Sequence, residues 1–139
     1  MHRRHIVLAG IVSFLLAVLL WQLTPEQRVA RYISAHREDL EARADAYFAG
    51  EASFSYPGDL FAANTWPGEH SMAEYILFSH GATWYGCYYS PDDVPLAFQN
   101  AAVPLTQTAD GWAWGGKSNY RGETFRLAPS WYFFQVSRR

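Results

Sequence analysis

The pattern of apolar and polar positions begins with an uncharged apolar stretch over residues 6–23, which Arg3 and Arg4 precede. At a helical rise of about 1.5 Å per residue this stretch would span roughly 27 Å, close to the hydrocarbon thickness of a bilayer. Basic residues in front of such a stretch favour an N-terminus that stays in the cytoplasm. The pattern therefore predicts a cytoplasmic tail over 1–5 and a transmembrane signal anchor over 6–23.

The end of the apolar stretch bears on whether the anchor is retained. Cleavage of a signal peptide needs small side chains there, and the chain has Leu20, Trp21 and Leu23. A lipoprotein signal would need a cysteine directly after the stretch, whereas the one cysteine is Cys87. We expect a single-pass protein of the cell membrane whose C-terminal domain is extracytoplasmic, with a cleaved signal peptide as the alternative.

Residues 24–50 repeat with a helical period. Thr24 and Gln27 match a capping box, Pro25 fits the first helical position, and Gly50 is a typical end. Apolar and aromatic side chains recur at spacings of three and four: Val29, Tyr32, Ile33, His36, Leu40, Ala44 and Tyr47. This pattern predicts an amphipathic helix whose stripe covers a sheet, with a coiled-coil dimer as the alternative.

Beyond Gly50 the period changes to two-residue alternation between turn residues. Short strands are predicted over 53–56, 74–79, 83–89, 96–98, 103–108, 111–114, 124–128 and 131–137, with 59–72 mostly irregular. The strands 74–79 and 83–89 are expected to form a hairpin around His80 and Gly81. The expected fold class is α+β, with an N-terminal transmembrane helix, the amphipathic helix and a small antiparallel β-meander sheet. The β-rich part, 51–139, belongs to the same domain as the amphipathic helix.

Composition and charge exclude some classes of function. The part after residue 23 carries nine Lys or Arg against thirteen Asp or Glu, which argues against a nucleic-acid partner. A single cysteine forms no internal disulfide, and Cys87 among aromatic neighbours fits a small buried hydrophobe better than a reactive thiol. The fold must therefore rest on packing.

The charges are unevenly distributed along the chain. Residues 44–116 hold eight acidic residues and no Lys or Arg, whereas 117–139 hold five basic residues and only Glu123. Pairing of the two parts within one fold explains this most simply. The alternative is an acidic patch that binds a cation or a basic partner, although no calcium loop of the D-x-[DN]-x-[DN]-G kind is present.

Residues 111–118 match the phosphate-loop pattern G-x-x-x-x-G-K-[ST] letter by letter. A phosphate loop needs small residues and a helix behind it, but Trp112 and Trp114 occupy this loop and no helical period follows. We interpret the match as fortuitous and expect no nucleotide.

A catalytic or metal site would have to use His70 and His80 with acids from the set Glu69, Glu74, Asp92 and Asp93, and the narrower candidate set is His70, His80, Asp92 and Asp93. Their spacing matches neither H-E-x-x-H nor any other metal-binding motif, and no nucleophile motif accompanies them. The sequence therefore implies no metal and no cofactor. An envelope hydrolase or a metal-dependent enzyme built on this set remains the alternative to a non-catalytic role.

Aromatic residues, 17% of the chain, are the last feature with functional content. Runs such as 131–134 place rings on both faces of a strand, so one face is core and the other is free to bind. The candidate binding residues are Trp84, Tyr88, Asp92, Asp93, Trp112, Trp114 and Trp131. Candidate partners are a cell-envelope protein or a glycan; the alternative is that these rings complete a small core.

Over residues 85–98 and 110–114, and in the closing aromatic run 131–134, the chain resembles small signal-anchored bacterial envelope proteins of unknown function. The resemblance implies a cell-envelope setting and brings no activity, cofactor or site residue. The sequence thus favours a membrane-anchored, extracytoplasmic, non-catalytic interaction module. A further alternative is an accessory subunit of a membrane complex that associates through the anchor.

Overall fold

The structure, a computed structural model, describes residues 2–21, 23–115 and 119–139. The first element is helix α1, His2–Trp21. Within the described residues, neither helix combines the length and the apolar character that crossing a membrane requires. The predicted transmembrane signal anchor over 6–23 and the single-pass, cell-membrane localisation are therefore wrong. The physical reason is length. The first turn of α1, His2–Trp21, consists of polar residues, and the apolar part that follows is shorter than the ~20 apolar residues of a membrane span.

The described apolar side chains of α1, those of residues 6–19, lie outside the packed part of the molecule. None of them belongs to either of the two core clusters described below. Each of the following is at least half exposed: Ile6, Val7, Leu8, Ile11, Val12, Phe14, Leu15, Leu16 and Leu19. These side chains of α1 therefore contribute nothing to the core of the domain.

Helix α2, Pro25–Phe48, begins and ends as the sequence predicts. The Thr24 hydroxyl accepts a hydrogen bond from the Gln27 amide, and the Gln27 side chain accepts one from the Thr24 amide. This reciprocal arrangement is the predicted capping box. Gly50 follows with a φ of +74°, the left-handed conformation typical of a residue just beyond a helix.

Seven strands form one antiparallel sheet with the order β1-β2-β3-β7-β6-β5-β4. Their bounds are β1 Ala62–Trp66, β2 Met72–His80, β3 Thr83–Tyr89, β4 Thr106–Gln107, β5 Trp112–Trp114, β6 Tyr120–Ala128 and β7 Trp131–Arg138. The predicted single meander is wrong, because β7 pairs with β3 and so joins two runs of neighbouring strands. The described chain adds a 3-10 turn, Phe98–Asn100, where a strand over 96–98 was expected.

Two core clusters occupy the two faces of the sheet. Helix α2 buries Val29, Ile33 and Leu40 against one face, which holds Tyr75, Cys87, Trp131 and Phe133. The connection from β3 to β4, residues 90–105, covers the other face, which holds Met72, Tyr88, Trp114, Tyr132 and Phe134. The aromatic run 131–134 alternates between the two clusters, so both of its faces are buried.

One buried hydroxyl in the first cluster lacks a partner, and this leads to a stability prediction. Tyr75 is fully buried, and its hydroxyl forms no hydrogen bond in the described chain. Burial also raises the pKa of this hydroxyl. Tyr75→Phe is expected to raise the free energy of unfolding by ~1 kcal/mol, because an unpaired buried polar group is removed without leaving a cavity. Urea denaturation of the purified variant measures the change.

Tyr88→Phe is the matched control on the other face. The Tyr88 hydroxyl accepts from the Leu96 amide at 2.8 Å and donates to the Thr124 hydroxyl at 2.9 Å, which itself donates to the Phe133 carbonyl. Loss of this chain of hydrogen bonds is expected to lower the free energy of unfolding by ~1–3 kcal/mol. If both variants lose stability equally, the Tyr75 hydroxyl has a partner and the prediction is wrong.

Candidate functional site

The structure places the predicted aromatic binding residues mainly in the core. Tyr88, Trp114 and Trp131 are buried, and Trp84 and Trp112 are partly buried. The Trp131 indole N–H donates to Glu41 Oε1 at 2.6 Å and so fastens α2 to the sheet. These rings do not form an exposed face, because α2 and residues 90–105 cover the two sides of the sheet.

The four residues of the candidate catalytic set are not brought together. His70 Nδ1 lies 2.8 Å from Asp92 Oδ2, and both side chains are more than a third exposed. His80 ends β2 and faces solvent, whereas His70 immediately precedes that strand, so the two histidines lie at opposite ends of it. No group of three potential metal ligands occurs among the residues described.

Asp93 has a structural partner instead. Its carboxylate accepts two hydrogen bonds from the Arg126 guanidinium, at 3.1 and 2.5 Å, and one each from the Ser130 amide and the Tyr132 hydroxyl. The Arg126 guanidinium and the Ser130 amide hold the pKa of Asp93 well below its usual range. Asp93 therefore fastens the connection after β3 to the β6–β7 turn and stays ionised there.

Cys87 and part of the phosphate-loop match lie in the sheet. Cys87 is fully buried, and burial raises the pKa of its thiol, which keeps the thiol protonated and unreactive. In the phosphate-loop match, Trp112–Trp114 is strand β5 rather than a loop before a helix. Its last three residues, 116–118, lie outside the described part of the chain.

One acid of the wider candidate set, Glu74, is buried on the second face of the sheet. Glu74 on β2 is 2% exposed and accepts hydrogen bonds from the Gln99 amide at 2.8 Å and the Trp66 indole N–H at 3.2 Å. Burial raises its pKa to about 7, although both hydrogen bonds act in the opposite direction. Met72 and Ile76 have the same parity along β2 and share this face with Glu74.

The turn bonded to Glu74 is conformationally strained. Gln99 and Asn100 have φ values of +56° and +51°, which non-glycine residues seldom adopt. The Asn100 side-chain amide donates to the carbonyls of Trp66, Pro67 and His70, at 3.4, 3.3 and 2.8 Å. Glu74 and Asn100 thus hold the end of strand β1 against the connection that covers the second face.

Strand β1 is one edge of the sheet and pairs only with β2 in the described chain. The Phe61 amide donates to the Ile76 carbonyl at 3.0 Å, so the backbone of Ile76 faces β1. Ala62 is the register partner of Ile76, and its backbone groups therefore face β2. Because backbone groups alternate along an antiparallel strand, Ala63 and Thr65 direct their N–H and C=O groups outward. No described backbone group bonds to this outer side. The edge is a row of unpaired donors and acceptors.

Exposed aromatic rings lie beside this edge. Phe54 contacts Tyr47, Tyr56 and Tyr75, with ring centroids 5.7, 5.8 and 6.2 Å away. Tyr75 is the β2 residue paired with Ala63 of β1, so Phe54 and its neighbours lie on the α2 side of the sheet next to the edge. Tyr56 is 42% exposed, and Phe61, directly before β1, is 64% exposed.

No protein-family model, no curated protein and no solved structure matches the chain. The resemblance to signal-anchored envelope proteins therefore stays a prediction. The function has to be argued from the geometry of the domain, and the free edge of β1 with its exposed rings is the feature that offers a partner both hydrogen bonds and apolar contact.

Proposed function

We propose that this protein is a non-catalytic interaction module that binds an extended peptide segment as an additional strand at β1. The observation that carries the proposal is the outward backbone of Ala63 and Thr65 on an edge strand with exposed rings beside it. Main-chain hydrogen bonds would supply affinity, and contacts with the rings would select alternate side chains of the peptide.

The two edges of the sheet differ in a way that supports this proposal. Folded proteins protect sheet edges from pairing by keeping them very short or by placing lysine or proline there. The β4 edge is two residues long, which is such a protection. The β1 edge has five residues, AANTW, with neither a charge nor a proline. An unprotected edge of this length is typical of a surface that pairs with a partner.

The exposed rings add apolar area at the same place. In a strand added to β1, every second side chain would point to the α2 side of the sheet, where Tyr56 and Phe61 lie. Aromatic rings bury large areas at small cost in conformational entropy. The geometry thus favours a partner segment with apolar side chains at alternate positions.

The test uses a nine-residue peptide of alternating valine and threonine with serine at both ends, titrated into the full-length protein by calorimetry. Saturable binding is expected, with slower hydrogen exchange at the amides of Ala63 and Thr65 because the added strand would accept from them. Thr65→Pro is expected to weaken binding at least about tenfold, since it removes an outward donor and leaves the β1–β2 ladder intact.

Gln107→Pro is the matched control, because it places proline on the other edge strand, β4, away from β1. The Thr108 amide donates to the Gly111 carbonyl, so by alternation the Gln107 N–H points outward and its loss leaves the β4–β5 ladder intact. It is expected to leave the affinity for the peptide unchanged. No saturable binding, or binding that Thr65→Pro leaves unchanged while the variant unfolds like the parent protein, would contradict strand addition at β1.

A further inference from the structure

We infer that the segment bound at β1 carries basic residues on both sides of its alternating apolar part. This inference rests on strand addition as proposed above and adds the charge of the partner. It follows from the acidic residues that flank the edge, from the engagement of the nearby arginines, and from the neutral character of β1 itself.

Acidic residues lie just before and just after strand β1. Asp59 precedes it by three positions and Glu69 follows it by three, and both side chains are exposed. Neither forms an ion pair within the described chain. Residues 44–116, which include β1, β2 and β3, contain no Lys or Arg at all. An added strand would therefore end near unneutralised carboxylates at both sides.

The described arginines of α2 form no ion pair with Asp59 or Glu69, although Arg28 keeps its charge and lines the same pocket as Asp59. Arg43 pairs with Asp39 at 2.8 Å and also reaches the Ser55 hydroxyl at 3.4 Å. The guanidinium of Arg28 lies over the Phe78 ring, 3.7 Å from its centroid, in a cation–π contact. The basic residues of the C-terminal strands lie in the other half of the sheet, where Arg126 pairs with Asp93.

The neutral strand β1 and the acidic residues on both sides of it define the chemical class of the partner. Its central residues are uncharged, since β1 is neutral and the neighbouring Tyr56 and Phe61 rings are apolar. Its flanks carry Lys or Arg, because like charges next to Asp59 and Glu69 would be repelled. Complementary charges at the rim chiefly increase the association rate and exclude wrong partners, so acidic peptides are rejected.

The experiment compares three peptides that share the alternating valine–threonine centre and carry two lysines, two serines or two glutamates at each end. At low salt the lysine peptide is expected to bind the full-length protein about fivefold more tightly than the serine peptide, and the glutamate peptide more weakly than both. At about 0.5 M salt the three affinities should converge, because exposed charges are then screened.

The double variant Asp59→Asn, Glu69→Gln assigns the effect to the flanking carboxylates. It is expected to bring the lysine peptide to the affinity of the serine peptide and to leave the serine peptide unchanged. Asp110→Asn, at an exposed acid between β4 and β5, is the matched control and should change neither affinity.

The outcomes separate this inference from the proposed function. Equal affinity for the three peptides, together with the loss caused by Thr65→Pro, would overturn the charge selection and leave strand addition standing. Retained preference for lysine in the double variant would also overturn it. Absence of binding by all three peptides would overturn strand addition and the charge selection together.

Discussion

Gly86→Ala is expected to lower the free energy of unfolding by about 3 kcal/mol or more. A Cβ at this position would lie 2.1 Å from the Tyr75 carbonyl oxygen and 2.8 Å from the Phe134 ring. Gly86 pairs with Ile76 on one side and Phe134 on the other, where β2 also has a bulge between Ile76 and Phe78. Because a backbone oxygen blocks the site, the strands themselves must move apart. Urea denaturation at neutral pH measures the loss.

Gly58→Ala is the matched control for this substitution. A Cβ at Gly58 would meet nothing within 4 Å, and its φ lies outside the left-handed region. Its free energy of unfolding is therefore expected to change by less than about 0.5 kcal/mol. If Gly86→Ala changes the free energy of unfolding by as little as Gly58→Ala, the bulge accommodates the methyl group. The close approach of β2 and β3 would then not require glycine at this position.

The second large effect is a decrease of stability as pH rises toward neutrality, caused by Glu74. Burial raises the pKa of this carboxyl from 4.5 to about 7 in the folded state. A raised pKa means that stability is fully present below about pH 4.5 and is lost as pH rises through 7, where the buried group must ionise. The shift corresponds to ~3 kcal/mol, at about 1.4 kcal/mol per pKa unit. Urea midpoints between pH 5 and 8 measure it.

Glu74→Gln isolates this contribution from other titrating groups. The Gln99 amide and the Trp66 indole donate to different oxygens of Glu74, so the single amide oxygen of glutamine keeps one of these two hydrogen bonds. This loss is the same at every pH, and the side chain no longer titrates. The free energy of unfolding of the variant, relative to that of the parent protein, is therefore expected to rise from pH 5 to pH 7 and to stay higher above pH 7. If the difference is constant from pH 5 to 8, Glu74 does not titrate in this range and its burial does not control stability.

Glu74 also connects stability with the proposed binding edge. Its bond to Trp66 holds the last residue of β1, and Asn100 holds the carbonyls that follow. Ionisation strengthens the hydrogen bonds that the carboxylate accepts while the desolvation of its charge destabilises the fold. The same residue thus orders the end of β1 and lowers the stability of the domain at neutral pH.

Local chemistry explains the elements that were predicted correctly. The start of α2 depends on Thr24 and Gln27, whose capping box needs no contact with the rest of the chain. The hairpin expected over 74–79 and 83–89 is found as β2 and β3, which are joined at Gly81 with a φ of +59°. In both cases residues within a few positions of one another determine the conformation.

The wrong predictions concern what lies against each element. Alternation in 131–134 shows that the rings share two faces, but only the folded chain shows that residues 90–105 cover the second face. Strand β1 falls in a stretch expected to be irregular, because pairing with β2 rather than its own propensity makes it a strand. The site residues Thr65 and Phe61 were missed for the same reason.

The sequence by itself determined the amphipathic helix, its cap, the central hairpin and the burial of Cys87, because these follow from short-range periodicity and side-chain chemistry. Only the tertiary structure decided the pairing of β3 with β7, the burial of Glu74 and the exposure of the β1 edge. The apolar stretch near the start gave the wrong expectation of an anchor, since apolar composition alone does not determine where a helix ends. Contacts between distant residues carry the information that local pattern lacks.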